Sequence, residues 1–95
     1  MTESRGHSAK EAAEHVAIDA LSWLAADPEA LGDFLALSGI GPADLRAAAT
    51  TPGFLAGVLD HLLSHEKLLV AFAEAREFKP ETVVAARIAL DEAMS

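Results

Sequence analysis

Two places in this chain hold residue types capable of chemistry: the histidine pair His61 and His65, and the glycine hairpin Gly39-Ile40-Gly41 with Arg46 beyond it. Histidines four residues apart point the same way on a continuous helix, as two imidazoles sharing a metal ion must. In "HLLSHE", however, the glutamate follows the second histidine, so the metalloprotease order is absent. No third ligand is identifiable, because His7 and His15 lie far away along the chain. Ser64 could also cap a new helix, which would put the pair out of register. The expectation is therefore two histidines at a helix rim beside Phe54 and Val58, with no metal.

The hairpin sits in "LALSGIGPADL", Leu35 to Leu45. In helix-hairpin-helix DNA binders, two glycines free the backbone so that amides opening the second helix can hold a phosphate. Here Ile40 would be the apolar plug. Pro42 has no amide to offer, Asp44 puts a negative charge where phosphate would arrive, and Arg46 is the one cation before a run of alanines. The expectation is a tight corner between two helices. Nucleic-acid binding through Gly39-Ile40-Gly41 is the alternative.

Carboxylates are plentiful, but general acid–base catalysis needs a convergent pair in a desolvated pocket. Glu11, Glu14 and Asp19 fall on the wet side of one helix, and Asp27, Glu29 and Asp33 on a cap and a solvated face. No nucleophile–base arrangement, phosphate loop or dinucleotide fingerprint is legible. Neither an enzyme nor a cofactor is expected.

The elements that position these residues read as helices throughout. "SAKE" at Ser8 to Glu11 has the form of a capping box, which predicts a frayed tail over residues 1–7 and a single helical domain over 8–95. The first helix places Ala13, Val16, Ala20, Leu21, Trp23 and Leu24 on one face, with Trp23 as a core anchor. Asp27-Pro28 opens a second helix whose inner face is Leu31, Phe34, Leu35 and Ser38, and Gly39 closes it. A short helix over 42–49 follows, and Thr51-Pro52 starts another with Phe54, Leu55, Val58, Leu59, Leu62 and Leu63 inward. Leu68, Leu69, Phe72, Ala73 and Ala75 line the next segment. Lys79-Pro80-Glu81 opens the last, with Val83, Val84, Ile88, Leu90 and Met94 as apolar contacts. The fold class is all-α: a compact orthogonal bundle of five or six short helices, with the hairpin turn between the second and third.

Composition narrows the function. With 95 residues and no internal repeat or linker, one domain is expected. Seven Lys+Arg stand against 15 Asp+Glu, a formal charge of -8, which weighs against a phosphate-binding surface. There is no cysteine, so disulfides and thiolate sites are excluded. The polar N-terminal stretch has no secretory apolar region, and no apolar run has the ~18–20 residues of a membrane span. A soluble cytoplasmic protein is expected.

Three residues interrupt their surroundings. Ile18 and Val70 point into otherwise polar faces, and together could make a contact patch. Arg87 falls amid Val83, Val84, Leu90 and Met94. Its methylenes can cover the core while the guanidinium reaches Asp91 one turn on, or it can anchor a buried or interfacial ion pair.

"LSWLAADPEALGDFLALSGIGPADLR" and "FLAGVLDHLLSHEKLLVAFA", within residues 16 to 90, resemble a small, uncharacterised, chiefly alphaproteobacterial family known only as a domain of unknown function. The resemblance implies a free-standing small helical protein and carries no catalytic or binding residue with it. Taken together, the residues predict a non-enzymatic interaction or regulatory module, contacting an unidentified protein partner or a second copy of itself.

Overall fold

Proline stands at the first position of three of the described helices. The structure is a computed structural model that describes residues 5–94. Six α-helices follow one another: α1 (Arg5–Ala25), α2 (Pro28–Ser38), α3 (Leu45–Ala48), α4 (Pro52–Ser64), α5 (Glu66–Arg76) and α6 (Pro80–Met94). No strand occurs among the described residues, so the fold is an all-α bundle. Its radius of gyration, 13.0 Å, is that of a compact domain of this length.

Local chemistry accounts for the boundaries. The Asp27 carboxylate accepts hydrogen bonds from the Glu29 and Ala30 amides at 3.1 and 3.3 Å, fixing the start of α2. Gly39 ends that helix in the left-handed conformation, φ 75°, and its amide donates to the Leu35 carbonyl at 2.9 Å. Thr51 caps α4 by accepting from the Phe54 amide at 3.4 Å. The helix then stops at Ser64, where His65 turns extended before α5 begins. Glu77 closes α5 in the left-handed region, φ 59°.

Two expectations about helix extent are corrected. α1 already runs from Arg5, so Ser8 lies inside it and cannot be its N-cap. Residues 5–7 of the expected tail are helical, with no proline to stop the helix despite Gly6; residues 1–4 lie outside the described residues. The segment after the hairpin is shorter than expected as a helix. Pro42–Asp44 form a 3₁₀ turn, and α3 is a single α-turn of 4 residues.

The core lies where α1, α4 and α6 meet. Leu24, Val58, Leu59, Leu62, Val83 and Leu90 are fully buried there, and Phe72 of α5 closes one side. Small residues let these helices approach closely: Ala13, Ala17 and Ala20 on α1, Ala56 on α4 and Ala86 on α6 are all buried. Trp23 is half-buried at the margin, its ring 5.6 Å from that of Phe72. On α6 the inner face is Val83, Ala86 and Leu90. Val84 and Ile88, expected to be inward, are 43% and 54% exposed. Spacing explains the difference: 83, 86 and 90 follow one helical stripe, while 84 and 88 form a neighbouring stripe that no helix covers. Ala75 is likewise exposed, two positions beyond the buried Phe72-Ala73 pair.

Candidate functional site

α2 and the corner that follows it cover only part of α4, and a groove of about 710 Å³ runs along the gap. Its floor is one face of α4, where Gly53, Gly57, His61 and Ser64 succeed each other at helical spacing. Phe34, Leu37 and Ser38 of α2 form one wall, and Ile40 of the hairpin closes the end. Phe34 is buried, with its ring edge-on to Phe54 at 5.6 Å and to His61 at 5.1 Å. A Cβ added at Gly53 or at Gly57 would meet nothing within 4 Å. These glycines therefore leave open backbone along the groove rather than serving close packing inside the fold.

Leu37 stands at the lip and is 71% exposed. Beyond it a smaller trough of about 510 Å³ shares Leu37, His61 and His65 and adds Asp33 and Leu68. Leu37 is thus an apolar ridge between two hollows.

The histidine pair closes the far end of the groove. Although the helix breaks between them, the rings meet at 4.5 Å, tilted by 40°. The extended His65 folds its imidazole back, with Nδ1 2.8 Å from the His61 carbonyl oxygen, which it reaches as an N–H donor. The expected rim position is corrected for His61, which is buried with 8% exposure against Phe34. Burial pushes its imidazole below the ordinary value of 6.5, the nearby His65 pushes it the same way, and the Asp33 carboxylate opposes both. Among the described residues, no group of three or more histidines and carboxylates is placed to hold a metal ion.

The hairpin contributes shape to this site. Ile40 is half-buried and lines the groove, while Arg46 is exposed on α3. The Asp44 amide donates to the Gly41 carbonyl at 2.9 Å, so it is already engaged. With α3 a single turn, the corner has no extended helix whose N-terminus could face a phosphate.

Arg87 anchors the opposite edge. Its Nε donates to Asp60 Oδ1 at 2.7 Å, linking α6 to α4, and its Nη1 lies 3.7 Å from Asp91. That hydrogen bond to Asp60 raises the guanidinium's already high pKa, so Arg87 stays charged. The reach to Asp91 along the helix is present, and the guanidinium also joins α6 to α4 through Asp60, an exposed pair within the chain rather than a buried one. Ile18 and Val70 are exposed, at 47% and 41%. Ile18 borders a third trough, of about 970 Å³, with Val16, Phe78 and Thr82. Val70 does not line that trough. Glu11, His15, Asp19 and Ser22 make its wall more polar than that of the α2–α4 groove. Nearby, the Arg76 guanidinium pairs with Asp19, tying α5 to α1.

Leu37, Gly53 and Gly57 are site residues that the sequence reading did not single out. For Leu37 a signal existed: it lies off the face defined by Leu31, Phe34 and Leu35.

The molecule is thus a small all-helical bundle that leaves an apolar groove beside its core. The chain belongs to the family described as "Protein of unknown function (DUF3572)", whose model matches residues 10–93. No curated protein and no solved structure matches it. None of its described helices is long and apolar enough to cross a membrane.

Proposed function

We propose that this protein works without catalysis, as an interaction module whose α2–α4 groove receives an apolar segment of a protein partner. One observation carries the reading: Leu37, 71% exposed, beside a groove lined by Phe34, Ile40 and Phe54. A large apolar side chain held in water at the lip of an aromatic-lined hollow loses unfavourable hydration when a partner covers it. The absence of cysteine suits a reducing compartment, and the cytoplasm is the setting we propose.

Photocrosslinking from a benzophenone side chain at position 37, in the source cell, tests this. A discrete protein adduct is expected, and Gly57→Leu, which fills the groove, is expected to remove it. Adducts from positions 18 or 70 but not 37 would move the interaction to those exposed residues and overturn the groove.

A further inference from the structure

The occupant of the groove has a definite chemistry. Resting on the interaction reading above, we propose that it is a single amphipathic α-helix carrying basic residues beside its apolar stripe.

The shape argues for a helix. The groove follows α4 from Thr51 to His65, essentially the whole of a 13-residue helix. At 1.5 Å per residue this is roughly 20 Å, the length of a comparable helix laid alongside. α4 packs against α1, α6, α5 and α2, and the face bearing Gly53 and Gly57 is left without a helix on it. Two glycines one turn apart, each with open space where a Cβ would sit, let a second backbone approach closely. Leu37 and Phe54 then offer apolar contacts to residues at i, i+3, i+4 and i+7 of the incoming helix.

Charge argues for basic flanks. Neither this groove nor the adjoining trough is lined by a lysine or arginine. Asp33 borders the trough on one side. Asp44, in the 3₁₀ turn that follows Ile40, is exposed and lies outside the lining of both hollows. Among the described residues, neither carboxylate has an ion-pair partner. Asp60, by contrast, has its charge answered by Arg87. The whole chain carries -8, which adds long-range attraction for a cationic partner. An acidic helix would meet the same field as repulsion.

Three peptides of about 18 residues test the proposal. All carry leucine on one helical stripe or its scramble: one with flanking lysines, one with flanking glutamates, and one with the lysine composition in scrambled order. The lysine-flanked helix is expected to bind and to shift the amide resonances of Leu37, Gly53 and Gly57. The glutamate-flanked helix is expected to bind at least about ten-fold more weakly, and Asp33→Lys with Asp44→Lys to reverse that order. Gly57→Leu should weaken the lysine-flanked helix about ten-fold or more with the thermal midpoint unchanged or raised.

Equal binding of lysine- and glutamate-flanked helices in the groove would overturn the basic partner while leaving the interaction reading intact. Scrambled peptide binding as well as the patterned one would overturn the helical occupant. No peptide shifting any groove resonance would remove the proposal, and crosslinking from position 37 would then judge the broader reading alone.

Discussion

The α1–α4–α6 junction and the α2–hairpin–α3 corner are built from similar residues but do different work. At the junction, Leu24, Val58, Leu59, Leu62, Val83 and Leu90 lose all contact with water. In the corner, α2 contributes one fully packed side chain, Phe34, and α3 contributes none. Leu37 of the corner is, by contrast, largely exposed. Stability and presentation are thus separated in space: three helices hold the fold, and the corner displays an apolar surface on top of it. Under the proposed interaction reading, a partner that covers Leu37 touches none of the junction's fully buried side chains.

The largest effect that sharpens this contrast comes from trimming one leucine in each region. Leu59→Ala should cost about 2–5 kcal/mol, through lost burial and the cavity left behind. In a chain of this size that lowers the thermal midpoint by roughly 8 °C or more. Leu37→Ala should stay within about 0.5 kcal/mol, because it removes little buried surface. Urea unfolding of both variants decides the matter; comparable losses would show that the corner is part of the core.

Glycines provide the next comparison, between the corner and the floor of the groove. Gly39→Ala places a Cβ on a left-handed residue and should cost about 1–2 kcal/mol, although nothing crowds the site. Gly57→Ala, in open space on α4, should instead stabilise by about 0.5–1 kcal/mol. Opposite signs in thermal unfolding are the expected result. A loss at Gly57 would mean that its openness serves the fold rather than the surface.

The smallest effect is electrostatic. His61 belongs to the junction by burial and to the corner by its contact with Phe34. Its folded-state pKa is depressed, so the unfolded chain binds a proton more readily than the native one. Its contribution is complete above the ordinary value of 6.5 and declines as pH falls from there through the lower folded value. Urea titrations between about pH 7.5 and 5 should therefore show a steeper loss for the wild type than for His61→Gln. Identical slopes would place His61 in water rather than against Phe34.

Much of the fold was legible because its signals are local. Asp27-Pro28, Gly39 and Thr51-Pro52 mark ends that depend on hydrogen bonds within a few residues. The same locality explains the error at Ser8, since a capping sequence is neither necessary nor sufficient for a helix start: α3 and α5 begin without a side-chain cap. The hairpin's glycine and proline mark a corner, but its place in the groove is not legible in the sequence: Ile40 becomes a wall only because α4 returns beneath it. For the histidines, a break at Ser64 is expected to separate the pair; the break is there, yet the extended His65 folds back and the rings meet all the same. The burial of His61 depends on Phe34, a residue 27 positions earlier, and no periodicity encodes that distance.

What the sequence settled by itself was the all-helical class and most of the helix boundaries, since capping, proline geometry and apolar spacing act over one or two turns. Tertiary structure decided which apolar residues stay dry. Val84 and Ile88 on α6, and Leu37 on α2, are as apolar as their buried neighbours, and they remain exposed because no other helix reaches them. The groove exists for the same reason: burial belongs to the arrangement of helices in space, and a helix shows only its own stripes.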